Sequence, residues 1–119
     1  MKYILNLIFT VLALQPLSLS ANEPENTKNE IQHLINYVAT AGCTMQRNGT
    51  NHTATESVSH IKKKYEYFID KIDTAEDFIA LSASKSTMFD TPYLIICPGQ
   101  ETAKSKDWLL SELNTYRKN

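Results

Sequence analysis

Three side chains set four residues apart, His52, Glu56 and His60, are the part of this 119-residue chain best suited to chemistry. Imidazole titrates near neutral pH and ligates metals, and a carboxylate beside it can orient it as a general base. On a continuous helix the three would share one broad face. One ion held by all three is disfavoured, because at 1.5 Å per residue the two histidines would stand about 12 Å apart along the axis. Each imidazole must come within about 2.1 Å of zinc. His52 with Glu56, or Glu56 with His60, would need further ligands, and the remaining histidine is His33. No metal or other cofactor is therefore expected. Glu56 also has a structural use, since Thr53-Ala54-Thr55-Glu56 fits a capping box. His60 falls opposite the apolar stripe of the helix that this box would start, where histidines are commonly solvated.

Other residue groups carry weaker chemistry. Arg47, Asn48 and Lys62-Lys63-Lys64 could hold an anion near that helix start, where unpaired N–H groups point outward. The lysines lie at least two turns away from that end, so a solvated run is the expectation for them. Asn48 and Asn51 each open an N-x-Thr pattern, which has meaning only on a eukaryotic secretory route. No G-x-S-x-G elbow, P-loop or HExxH is present. Cys43 and Cys97 lack CxxC spacing, and two cysteines in an exported chain pair most naturally as an intramolecular disulfide.

Export is read from the first 21 residues. Lys2 precedes an apolar run from Tyr3 to Leu14, and Ser18-Leu19-Ser20-Ala21 supplies a small-residue end, the order of a secretory signal. The run is short for a bilayer span. Cleavage near Ala21 leaves 98 residues, enough for one small domain. Lys2 is the one charged residue in the segment removed, so the remainder carries a formal charge of −2. Nothing in that balance suggests a nucleic-acid partner or a polybasic membrane surface, and neither is expected. No cysteine follows the cleavage site, so no stable membrane anchor is expected after signal removal.

The elements that must position these groups follow from capping and periodicity. Asn22 to Asn26 reads as a loose leader. Thr27-Lys28-Asn29-Glu30 fits a capping box, and Ile31, Leu34, Ile35, Val38 and Ala41 recur at helical spacing up to Gly42. Cys43 to Arg47 is a short strand ending in the turn Asn48-Gly49. Ala54, Val58, Ile61, Tyr65 and Phe68 mark a second helix from Ala54 to Asp70. Thr74 caps a third, shorter helix with Ala75, Phe78, Ile79 and Ser82. Ser84 to Thr91 is a polar loop containing Met88 and Phe89. Tyr93-Leu94-Ile95-Ile96-Cys97, bounded by Pro92 and Pro98, is the strongest strand. A disulfide requires Cα atoms within about 7 Å, so Thr44–Arg47 should pair with Tyr93–Ile96. Ser105 can cap a last helix bearing Trp108, Leu109, Leu113 and Tyr116.

Taken in order, Arg47-Asn48-Gly49, His52, Glu56, His60 and Lys64, Thr74-Ala75-Glu76 with Phe78-Ile79, Ala83-Ser84 with Ser86, and Pro92-Tyr93 with Pro98-Gly99 resemble the YfeK-like family of small bacterial periplasmic proteins of unknown function. The likeness spans most of Asn26 to Tyr116. It implies export and a shared fold, and the family supplies no activity to transfer. One departure is that the family's Gly-Lys-Pro-Tyr turn reads Asp90-Thr91-Pro92-Tyr93 here, which implies a different loop geometry.

The sequence thus describes an α+β chain: a signal peptide over 1–21, a leader over 22–26 and a mostly helical single domain over 27–117. About four helices, a two-stranded sheet and one disulfide are expected. The functional expectation is a periplasmic, non-catalytic module that binds a protein or small ligand through Arg47, Asn48, His52, Glu56 and His60. The alternative is a small hydrolase or metal-dependent enzyme using His52, Glu56 and His60.

Overall fold

A computed structural model describes residues 25–119; the expected signal peptide and most of the leader lie outside them. Helix α1 runs over Glu25–Thr40 and buries Ile31, Leu34, Ile35 and Val38, an i, i+3, i+4, i+7 stripe. It begins two residues inside the expected leader, so Thr27 lies within the helix and the predicted capping box there does not form. Glu30 turns instead to Arg117, which donates to both of its carboxylate oxygens at 2.8 and 3.0 Å. Gly42, at φ +75°, ends the helix in the conformation that a side chain would resist.

The chain then forms a hairpin, β1 (Thr44–Arg47) and β2 (Thr50–His52). Asn48 and Gly49, at φ +52° and +81°, supply the positive φ at both central positions that a tight two-residue turn demands. Helix α2 follows over Ala54–Tyr67, and its capping box is formed: Thr53 Oγ1 accepts from Glu56 N at 3.1 Å, and Thr53 N donates to Glu56 Oε1 at 3.0 Å. The helix stops short of the predicted Asp70, giving way to a 3-10 turn at Ile69–Lys71. Helix α3 (Ala75–Ser82) is capped by Thr74 and Asp77 in the same reciprocal way. Strands β3 (Leu94–Ile96) and β4 (Ala103–Lys104) lead into α4 (Ser105–Lys118). Ser105 is not its cap. Lys104 holds that position without a side-chain bond, and Ser105 is buried inside the first turn with its hydroxyl unpaired among the described residues.

The fold is α+β with a four-stranded antiparallel sheet in the order β2-β1-β3-β4, where two strands were expected. The two missed strands are three polar residues and a dipeptide, neither long enough to show an apolar alternation. The anticipated pairing of β1 with β3 is present: Thr44 faces Ile96, Met45 faces Ile95 and Gln46 faces Leu94. The Cys43–Cys97 disulfide closes one end of this ladder, with Cα atoms 4.3 Å apart.

Alternation along the strands sorts the side chains by face. Cys43, Met45 and Arg47 share the inner face of β1. Ile95 and Cys97 share that of β3, and Tyr93 just before the strand continues the series. His52 lies opposite Met45 across the hairpin and so joins the same side. Met45 and Ile95 are buried and meet the helical core of Leu34, Ile61, Phe78, Ile79, Leu109 and Leu113. The inner face therefore carries three rungs: disulfide, apolar pair, then Arg47 beside Tyr93.

Candidate functional site

The third rung is where the apolar core gives way to polar chemistry. Tyr93 is 2% exposed, as a core aromatic should be. Its backbone is tied on both sides, since Tyr93 N donates to Ser84 O at 2.9 Å and Ser105 N donates to Tyr93 O at 2.9 Å. Ser84 Oγ in turn donates to Ile79 O at 2.6 Å, anchoring the loop to the end of α3. The phenol hydroxyl is directed at α2, where His60 Nε2 lies 3.0 Å away and Lys64 Nζ 3.4 Å away. Lys64 Nζ also donates to Lys85 O at 2.8 Å and stands 5.2 Å from the centre of the Tyr93 ring. The Arg47 guanidinium carbon is 6.0 Å from that centre, so two cations lie within cation–π range of one ring.

Donor and acceptor roles follow from this arrangement. Lys64 and Arg47 both reach the Tyr93 oxygen and have only hydrogens to offer, so the oxygen accepts from them and Tyr93 gives its own hydrogen to His60 Nε2. The ring proton of neutral His60 is then on Nδ1. Burial, reinforced by the positive charges of Arg47, Lys64, His52 and Lys63, pushes the His60 pKa down to about 4. Burial also lowers the Lys64 pKa, helped by Arg47 and Lys85. It raises that of Tyr93, with Arg47 working the other way. At neutral pH His60 is an uncharged acceptor and Tyr93 an uncharged donor.

Beside this cluster is an open concavity of about 470 Å³ between the hairpin and α2. Arg47 and His52 line it from the hairpin. Thr55, Glu56, Ser59, His60 and Lys63 line it from the helix. Glu56 is held at the helix start by its capping bond, and the same oxygen lies 3.5 Å from His52 Nδ1. Its pKa is lowered, chiefly by the Thr53 backbone bond and further by His52. Arg47, Lys63 and Lys64 make no ion pair among the described residues, whereas neighbouring Lys85 is paired with Asp90 at 2.6 Å. Arg47 Nε is buried with no hydrogen-bond partner among the described residues. An unmet buried donor of this kind costs about 1–3 kcal/mol.

The structure thus brings together Arg47, His52, Glu56 and His60. The two histidines are not on one helix: His52 ends β2, before the Thr53 cap, and the chain folds it over the α2 face that carries His60. Asn48 is exposed in the hairpin turn and does not line the concavity. The expectation that His60 is merely solvated is overturned, because Tyr93 covers it. The solvated lysine run is corrected in the same way: Lys62 and Lys63 are exposed, but Lys64 is half-buried against Tyr93 and the Lys85 carbonyl. Both errors have one cause. Helix α2 is covered by α1 and α3 along its apolar side and by the hairpin and Tyr93 along another, and amphipathic spacing reports only the first.

Tyr93 and Lys64 are the participants that sequence reasoning assigned elsewhere, and a signal for the tyrosine was present. With Cys43 and Cys97 paired across antiparallel strands, the residue four on from the first faces the residue four back from the second. Those are Arg47 and Tyr93. The Asp90 departure is also clarified, since Asp90 adopts φ +59°, the region that glycine enters freely, and uses its carboxylate to hold Lys85. Among the described residues no group of three or more His, Cys, Asp or Glu is placed to hold a metal ion.

Fold and site together define a small disulfide-bonded α+β domain with a basic, tyrosine-backed concavity at one end of its sheet. The chain belongs to the family of unknown function DUF5329, whose pattern matches residues 25–117. It is similar to the uncharacterized protein YfeK of Salmonella typhimurium, with 34% identity over 94 residues, covering 78% of this chain and 77% of the relative. No solved structure matches it. Seven of the nineteen residues that carry the YfeK-like resemblance gather at or behind the third rung: Arg47, His52, Glu56, His60, Lys64 and Tyr93 surround it, and Ser84 fixes the tyrosine.

Proposed function

We propose that this protein is an exported, periplasmic binding module, not a catalyst, and that the concavity between the hairpin and α2 is its binding surface. The observation that carries the reading is the convergence of Arg47, His60 and Lys63 on one open concavity, with neither cation paired to a carboxylate among the described residues. A disulfide closing the sheet fits an oxidising compartment, as does the signal-like start of the chain. The hydrolase reading draws less support from the geometry. It needs Glu56 to orient a histidine, and the oxygen nearer His52 is already engaged by the helix cap at the shorter distance of 3.0 Å. His60 is oriented by Tyr93 instead.

The test is crosslinking in cells that express the full chain, followed by capture, with the wild type set against a variant carrying Arg47→Ala, His52→Ala and His60→Ala. Loss of the captured partners in a folded variant is the expected result. Partners retained unchanged would show that the surface lies elsewhere. Fractionation and N-terminal sequencing of the same cells should place the protein in the periplasm with a start near Asn22; an intact Met1 in the cytoplasm would refute the export reading.

A further inference from the structure

Electrostatics narrow what the concavity can hold. Arg47, Lys63 and Lys64 bring three positive charges to a protein whose overall charge is slightly negative. The local carboxylate, Glu56, is tied to the helix start and to His52. Lys85 is neutralised by Asp90 and adds little. The guanidinium is only partly used within the fold: it bonds the Tyr93 side chain, while Arg47 Nε is buried without a partner and no carboxylate pairs with the group among the described residues. Thr55 and Ser59 contribute hydroxyls that can donate to an oxygen. At about 470 Å³ the open concavity is larger than a bare inorganic ion, with room for the charged end of a small molecule.

We propose that the concavity binds a small molecule through a phosphate or carboxylate group, with Arg47 and Lys63 as the charged donors and His60 as the positioning imidazole beside them. This rests on the binding-module reading and names the ligand's chemistry. Arg47 supplies a planar fork suited to two oxygens of one group. Lys63, exposed at the rim, supplies a point charge. Tyr93 and Lys64 stand behind His60 and fix its ring through Nε2, leaving Nδ1–H as the imidazole's donor.

The arrangement also couples binding to protons. His60 is faced by Arg47 from β1, His52 from β2, Tyr93 from the approach to β3, and Glu56, Lys63 and Lys64 from its own helix. Burial is the main cause of its pKa near 4 and persists in the complex, but a bound anion offsets the cations that add to it, so the value should rise in the complex. For a ligand whose own charge is constant, linkage then has affinity rise as pH falls toward the free value near 4.

The test is an NMR titration of the intact protein at constant ionic strength, observing the imidazole signals of His52 and His60. The probes are inorganic phosphate, glycerol 3-phosphate and citrate, with chloride as the control and phosphatidylglycerol vesicles as a separate arm. Saturable shifts with a phosphate or carboxylate probe are expected, and the His60 titration should move to higher pH with the probe bound. Arg47→Gln should weaken them about tenfold or more, the usual scale for one charge-assisted contact. Lys63→Gln, at an exposed position where folding is not at stake, should weaken them about threefold or more. Shifts that grow linearly and match chloride would overturn the proposal, as would saturable binding unaffected by both substitutions. Binding to vesicles with no response to the soluble probes would likewise overturn it in favour of a lipid surface. If the triple variant loses its captured partners while no anion binds, the ligand assignment fails and the binding surface stands; if capture too is unchanged, both fail.

Discussion

Acidification should remove stability through His60 in a window set apart from the carboxylates. A histidine whose folded pKa is depressed binds fewer protons folded than unfolded, so its contribution is intact above the unfolded value and is lost as pH falls through the folded one. Here the limits are the ordinary 6.5 and about 4. Taken at full value, going from pH 7 to 4.5 would cost about 2.5 kcal/mol. The ring is half-buried beside an open concavity, and solvent screens part of the effect, so about 1 kcal/mol is the working figure. Glu56 and Glu76, whose pKa values are lowered, act in the same direction but mainly below pH 4.5. The assay is urea denaturation of the wild type and His60→Gln at intervals from pH 7.5 to 4.5. Glutamine stays uncharged and can still meet the Tyr93 hydroxyl, so the difference between the two curves isolates the imidazole. The wild type should lose about 1 kcal/mol more than the variant, equivalent to roughly 4–8 °C in Tm for a domain of this size. Parallel curves, or a His60 NMR titration centred near 6.5, would refute the account of Tyr93 and its cations as a shield around a neutral ring.

Three further outcomes follow from the fold. Replacing both cysteines by serine should cost about 2–4 kcal/mol, because the bridge spans a separation of 54 residues, and should broaden the His60 signals as the ladder holding Arg47 opposite Tyr93 loosens; a loss under about 1 kcal/mol in urea would contradict this. Arg117→Met should cost about 2 kcal/mol at neutral pH, since the guanidinium bonds both Glu30 and Glu76 and the Glu30 side chain is only 11% exposed. Glu30→Gln combined with Arg117→Met should recover part of that loss, and no recovery in denaturant would argue that packing of the arginine stem is what matters. Gly49→Ala should cost about 1 kcal/mol by thermal denaturation, from its φ of +81° alone, because nothing lies within 4 Å of the added carbon.

What the sequence makes legible depends on whether the physics is local. The caps at Thr53 and Thr74 are stated within four residues, and the stripe Ile31, Leu34, Ile35, Val38 within eight; both are present in the structure. The disulfide is legible from the thiol count together with the signal-like pattern of the first 21 residues. By contrast, Thr50-Asn51-His52 becomes a strand only because the turn at Asn48-Gly49 lays it against β1, and its residues carry no apolar signature of their own. The site is a tertiary product of the same kind. A polar helix face reads as solvated unless something is known to cover it, and the cover on His60 and Lys64 is Tyr93, which enters from 29 residues beyond Lys64. The link between them is register. Once Cys43 is paired with Cys97 and the strands are antiparallel, counting four residues inward from each cysteine sets Arg47 against Tyr93, so the staple that stabilises the sheet also fixes the site's position. On that reasoning the disulfide is part of the proposed binding surface's geometry as much as of the core, and a change of one residue in the spacing between Cys97 and Tyr93 should displace the phenol from His60 while leaving the helices intact.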